Sequence, residues 1–210
     1  MKSKVTDSIF AVLLLCILTA ALFIWPVGLL KVTQEYKSLE RGMAPSGPIT
    51  ESASLSGIFQ PVTSKLNQIG IRFSIPNRDE NTGILMFQLT DAQGSILYTE
   101  EVPLCEMQNN KYYAFKINQK LDTTKPYIYQ ITCRGYGDNP PTAWLGSPKT
   151  ACAGQLSVYY SGGQLTGNAL MMQCTYAGAA SFRQSLPYEI TLLALAILLF
   201  HAWKGEKTDD

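Results

Sequence analysis

The sequence predicts an all-β sandwich, held outside a membrane between an N-terminal and a C-terminal transmembrane helix. Three observations predict it. An uncharged apolar run fills Ile9 to Leu30, and a second apolar run fills Ile190 to Trp203. Between them, apolar residues recur at every second position through a series of short segments. Clusters of Gly, Asn, Asp and Pro separate those segments at the spacing of turns.

The N-terminal run, IFAVLLLCILTAALFIWPVGLL, has 22 residues, and about 20 apolar residues cross a hydrocarbon core as helix. It places a tail over 1–8 and a first span over 9–31. Read instead as a cleavable signal peptide, the run is longer than the usual apolar region and has no small-x-small site after it. The C-terminal run, ITLLALAILLFHAW, has 14 residues; Pro187 and Tyr188 extend it to a second span over 187–203. Its apolar residues cover every helical face, which argues against a helix lying flat at an interface. Lys2 and Lys4 precede the first span, while Lys204 and Lys207 follow the second. Both termini are therefore expected in the cytoplasm, with tail 204–210 inside and the middle segment outside, although Lys31, Lys37 and Arg41 oppose this orientation. The expected localisation is the cytoplasmic membrane, with the lipid bilayer itself as one partner.

Residues 32–56 begin with a helical spacing of Val32, Tyr36 and Leu39 and then dissolve into Gly, Pro and Ser. They predict a short juxtamembrane helix and a stalk. From 57 to 180 the period becomes two. Ile69, Ile71, Phe73 and Ile75 share one strand face, and Leu85, Phe87 and Leu89 share the face of the next. Further strands are expected at 95–102, 112–118, 126–133, 155–161 and 169–176. Seven to nine short strands without an intervening helical run define a sandwich, and the segment is long enough to bury its own core.

Candidate chemistry is sparse. The polar knot Asn77-Arg78-Asp79-Glu80-Asn81 joins two strands, where Asn and Asp satisfy turn backbone and tolerate left-handed geometry. Asp79, Glu80 and Asn81 lack the spaced oxygens of an EF-hand loop, although a weak calcium site there stays open. The single histidine, His201, lies in or beside the second span and reads as an interfacial anchor. A Ser-His-Asp, Cys-His or histidine-metal site outside the membrane is thereby excluded. No Walker motif or strand-linked GxGxxG is present, so no cofactor is expected. Residues 32–188 carry seven Lys and five Arg against eleven Asp and Glu without a basic run, which excludes nucleic acid as the partner.

Cys105, Cys133, Cys152 and Cys174 all fall in the middle segment. An even number outside a membrane fits two disulfides. Sequence neighbours pair Cys105 with Cys133 and Cys152 with Cys174, with four unpaired buried cysteines as the alternative. The same segment is rich in Tyr, with Trp144 in the turn-rich GYGDNPPTAWLGS. Tyr113, Tyr136, Trp144 and Tyr160 are the candidate glycan- or partner-binding residues, since such rings offer apolar area with a polar tip.

The order QPVTSKLNQIGIRFSIPNRDENTGILMFQLTDAQGSILYTEEVPL, then NNKYYAFKI, KPYIYQITC and QLSVYYSGG, resembles β-sandwich domains of jelly-roll type. Such domains stand outside the membrane in bacterial polysaccharide-assembly and multi-spanning glycosyltransferase-like membrane proteins. The resemblance covers about residues 57–165, and its motifs are structural. It implies a fold and a cell-envelope setting in polysaccharide biosynthesis but transfers no active residue. Two spans in place of many remove the membrane body that would perform transfer. The expected function is accessory and non-enzymatic, with carbohydrate or a larger membrane enzyme as the bound partner. The alternative is a glycan-modifying hydrolase or transferase using Asp79, Glu80, Glu100, Glu101 or Asp138. Glu100 and Glu101 would point to opposite faces of their strand and cannot pair as acid and base.

Overall fold

The computed structural model describes residues 2–23, 31–179 and 182–206. The chain divides into two units, one of residues 33–177 and one that contains both helices.

In the helical unit, α1 (Lys2–Phe23) and α2 (Phe182–Glu206) pack on each other. Among the described residues, α2 is the helix long and apolar enough to cross a membrane, over Phe182–His201. This contains most of the expected second span. The apolar stretch of α1 is Ala11–Ala20, which is too short to span alone. Residues 24–30 of the expected first span, and Lys207 of the C-terminal tail, lie outside the described residues. Leu14 and Leu18 of α1 face Leu193, Ala196, Ile197 and Phe200 of α2 across an apolar hollow of about 400 Å³.

The other unit is built from two sheets. The first contains β1 (Lys31–Lys37), β2 (Ala44–Pro45), β4 (Lys65–Ser74), β7 (Tyr112–Phe115), β8 (Gln119–Lys120), β10 (Thr142–Gly146), β13 (Ala169–Leu170) and β14 (Met172–Ala179). Its main order is β1-β14-β4-β10-β13, with β2 on β10 and both β7 and β8 on β4. The second contains β3 (Leu55–Phe59), β5 (Ile84–Asp91), β6 (Ile96–Pro103), β9 (Tyr127–Arg134), β11 (Gln155–Tyr160) and β12 (Gly163–Gln164), in the order β12-β11-β3-β9-β5-β6. Most neighbours are distant in sequence, so the chain passes repeatedly from one sheet to the other.

The predicted alternation forms the core between the sheets. Ile69, Ile71, Phe73 and Ile75 on one side and Leu85, Phe87 and Leu89 on the other are all fully buried. The rings of Phe87 on β5 and Phe115 on β7 stack at 4.2 Å between centroids and 15° between planes, so one aromatic pair joins the two sheets. The opposite side chains of each strand form the two outer faces.

Segment 32–56 differs from expectation. Residues 31–37 form strand β1 and not a helix, and the stalk holds β2, β3 and the fully buried Ile49. Val32, Gln34 and Tyr36 are half-buried while Thr33, Glu35 and Lys37 are exposed, a period of two that the spacing of Val32, Tyr36 and Leu39 also satisfies at its first two positions. Tertiary pairing decided between the two periods. Ser38 shows the same force: its N–H donates to the Met172 carbonyl at 2.9 Å and its hydroxyl to the Leu170 carbonyl at 3.2 Å.

Candidate functional site

The polar knot is a turn. Arg78–Glu80 form a single 3₁₀ turn, entered by Asn77 at φ 47° and ψ 45°. That left-handed geometry suits Asn better than most residues. Asn81 pins the turn: its buried amide donates to the Asn139 carbonyl at 2.8 Å and its Oδ1 accepts the Gly83 N–H at 3.0 Å. Asp79 pairs with its neighbour Arg78 at 2.6 Å on the surface. Among the described residues, no group of three or more His, Cys, Asp and Glu side chains could hold a metal ion.

The carboxylates are dispersed. Glu100 faces inward on β6, where Tyr113 donates to Oε1 at 2.9 Å and Tyr98 donates to Oε2 in a very short bond. Burial first and the Glu100 bond second push the Tyr113 phenol up to about 12, and the same two causes raise Tyr98. Both phenols therefore stay protonated donors. Glu101 faces outward and meets Arg134 at 2.9 Å, as strand alternation requires. Asp138 is exposed in the loop after β9.

The four expected aromatic residues do not converge. Tyr113 points between the sheets toward Glu100. Trp144 lies on β10 of the eight-stranded sheet, with Nε1 donating to Asn110 Oδ1 at 2.9 Å. Tyr136 occupies the loop after β9 and packs against the core. Tyr160 ends β11 of the other sheet, its hydroxyl donating to the Pro48 carbonyl at 2.8 Å.

The cysteines are all thiols in this structure. Cys105 is exposed on the 3₁₀ turn Leu104–Glu106. Cys133 is buried on β9, its thiol 3.9 Å from the Arg134 carbonyl, and burial pushes it up to about 12. Cys152 and Cys174 are both buried, the Cys152 thiol donating to the Tyr36 carbonyl at 3.1 Å. The two pairs expected from sequence order thus have unlike surroundings.

A different surface gathers binding groups. On the outer face of the six-stranded sheet, strand registers align Tyr159, Ser56, Gln130, Gln88 and Thr99 in one row across β11, β3, β9, β5 and β6. On one side of that row lie Thr132, Met86 and Glu101. On the other lie Ile58, Ile128, Thr90 and Ile96. Neighbouring strands are about 4.8 Å apart, so the Gln88 and Gln130 amides stand side by side. Each presents one acceptor and one double donor, and no side-chain hydrogen bond engages either amide among the described residues. At one end Glu51 joins Ile84, Met86, Glu101, Thr132 and Arg134 around a depression of about 190 Å³.

Sequence reasoning passed over this face because each residue occupies an ordinary polar slot in an alternating strand. Gln88 sits between Phe87 and Leu89, and Gln130 between Tyr129 and Ile131. The available signal was the presence of Gln, and not a charged residue, in both slots. Strand order, which makes them neighbours, was not visible.

No family model matches the chain, and no curated protein matches it. Among solved structures it is similar to the carbohydrate-binding module TmCBM61 in complex with beta-1,4-galactotriose, at 11% identity over 70% of this chain and 82% of that one, with a TM-score of 0.29. It is also similar to the structure of infectious bursal disease virus Gx strain, at 10% identity over 85% of this chain and 52% of that one, TM-score 0.30. The VP2 subviral particle of infectious bursal disease virus gives 12% identity over 72% and 38%, TM-score 0.30. The chain spans about half or less of the matched viral chains. Likenesses at these scores carry no argument about a ligand; the sandwich rests on the two sheets themselves.

Proposed function

We propose that this chain is a non-enzymatic, membrane-anchored binding protein whose sandwich recognises a glycan on the outer face of the six-stranded sheet. The observation that carries this reading is the row Ser56, Gln130, Gln88 and Thr99, ending at Tyr159. Sugar hydroxyls are donors and acceptors at once, and paired amides and hydroxyls match both roles. Met86, Ile58, Ile128 and Tyr159 offer apolar area for the carbon face of a sugar ring. The face carries few charges, and Glu101 is already paired with Arg134. That balance fits a neutral polysaccharide better than an acidic one.

The wider setting follows the sequence. In this reading the apolar run Ile9 to Leu30, of which α1 holds only part, crosses the cytoplasmic membrane together with α2, the termini are cytoplasmic, the jelly-roll-like sandwich is extracytoplasmic, and the role is accessory to polysaccharide assembly in a bacterial cell envelope. A docked multi-spanning membrane enzyme is the second reading, favoured by the apolar hollow lined by Leu14, Leu18 and Phe200. Titration of the full chain in detergent with neutral and acidic polysaccharides tests the first. Binding that disappears in Gln88→Ala/Gln130→Ala, in a variant that keeps its melting temperature, supports it. Absence of binding to every glycan, together with stoichiometric recovery of a membrane enzyme from native membranes, replaces it with the second. Protease digestion of right-side-out vesicles tests the placement, which a protected sandwich would overturn.

A further inference from the structure

Two thiols in the core stand apart from the outer face. Cys152 lies in the connection from β10 to β11, which carries the chain from the eight-stranded to the six-stranded sheet. Cys174 sits in the middle of β14, opposite Ile69 of β4. They are 2% and 1% exposed, and each thiol is the largest influence on the other's titration, lowering Cys152 and raising Cys174. The Cys152 thiol also lies 3.1 Å from the Tyr36 carbonyl of β1, and Tyr36 meets Tyr176 edge to face at 5.8 Å. The contact therefore brings together β1, β14 and the connection between the sheets.

We propose that Cys152 and Cys174 form the native disulfide of this protein, clamping the inter-sheet connection to β14, while Cys105 remains a thiol. The geometry supports the first half, because Cys152 lies against β1, the sheet neighbour of the strand that carries Cys174, and both thiols belong to one core. The exposed position of Cys105 on its 3₁₀ turn, against the burial of the other two, supports the second. Oxidising conditions rest on the proposed extracytoplasmic placement.

Closure occurs during folding, before the pair is covered. In the finished core both sulfurs are sealed from an oxidant protein, at 2% and 1% exposure. The reaction is disulfide exchange with an oxidant protein that carries a disulfide. One cysteine loses its proton and attacks a sulfur of that disulfide, giving a mixed disulfide; the second thiolate then displaces the oxidant's sulfur. One S–S bond forms and one breaks. Two electrons and two protons leave the cysteines, and the oxidant departs as a dithiol. Once closed, the loop between residues 152 and 174 is fixed in the unfolded chain as well, which favours the native state.

The test uses the wild-type full chain in its native membrane. Membranes are denatured in a maleimide, reduced, and treated with an isotopically heavy maleimide, and each cysteine peptide is read by mass spectrometry. The expected result is heavy label on Cys152 and Cys174, light label on Cys105, and a cross-linked Cys152–Cys174 peptide when reduction is omitted. Light label on Cys152 and Cys174 overturns the proposal, as does a cross-link from either to Cys105. Protease accessibility on the same membranes reads the placement separately. A closed pair in a sandwich facing the cytoplasm removes the placement and keeps the bond, and free thiols in a sandwich facing outward do the reverse.

Discussion

The two outer faces of the sandwich differ in what occupies them. On the eight-stranded sheet the chain covers its own polar groups. Arg72 reaches Glu40 at 2.6 Å and the Asn110 carbonyl at 3.1 Å, Lys37 lies 4.7 Å over the Tyr112 ring, and Trp144 bonds Asn110. On the six-stranded sheet, Gln88 and Gln130 stand unengaged beside exposed Ile96 and Ile128. Both faces are made of strands with the same alternation. Part of the difference comes from Glu40 and Met43, which both meet Arg72 on the eight-stranded sheet, and part from Asn110, which takes bonds from Arg72 and Trp144. A polar group that meets its own chain contributes to stability, and one left in water is available to a ligand.

The largest effect should come from erasing the comparison. Phe87→Ala removes the ring that stacks on Phe115 between the sheets, and a loss of about 3–5 kcal/mol is expected. Chemical denaturation of the full chain checks it, and a cost under about 1 kcal/mol would mean that the sheets are not held by this pair. Next comes Gly57→Ala on β3. A methyl there would stand 2.1 Å from the Tyr129 hydroxyl and 2.7 Å from the Ser157 carbonyl. The six-stranded face should lose register at a cost of about 1–3 kcal/mol, read as a lower melting temperature.

Two smaller changes sharpen the contrast. Gln88→Ala and Gln130→Ala should each weaken glycan binding by about 0.5–1.5 kcal/mol, a few-fold to tenfold, while stability stays within about 0.5 kcal/mol. Trp144→Ala should do the opposite, lowering stability and leaving affinity unchanged; calorimetry with a paired melt separates the two. Arg72→Ala should cost about 1 kcal/mol or less, because Glu40 is partly exposed. Its pH dependence is the sharper reading. Lys37 first, and then Arg72, hold the Glu40 carboxyl below its ordinary value of 4.5. The carboxylate's contribution is thus present above that value and lost as pH falls through the depressed one. The acid-unfolding midpoint of Arg72→Ala should therefore lie higher than that of the wild type.

Much of the fold was legible in the sequence, and for a local reason. Ile69 to Ile75 and Leu85 to Leu89 carry a period of two strong enough to assign strand and face together. Segment 32–39 was not, because Val32 and Tyr36 fit a helix and a strand equally well and the choice depended on β14. Strand β10 was hidden in TAWLG, within a stretch dominated by turn residues. Of the candidate site, the polar character of Gln88 and Gln130 was legible and their adjacency was not. The aromatic residues stood out by type, yet Tyr113, Tyr136, Trp144 and Tyr160 went to separate surroundings.

By itself the sequence determined the β class of the middle segment, the apolar character of α2, and the inward residues of the central strands. These follow from side-chain order along one strand or helix, where the backbone repeat fixes which residues share a face. Only the tertiary structure decided that Gln88 and Gln130 stand in one row, that Arg72 meets Glu40, and that Cys152 and Cys174 share one core. Those pairs are separated by 42, 32 and 22 positions. Their meeting depends on strand order and on passage between sheets, which no local period records.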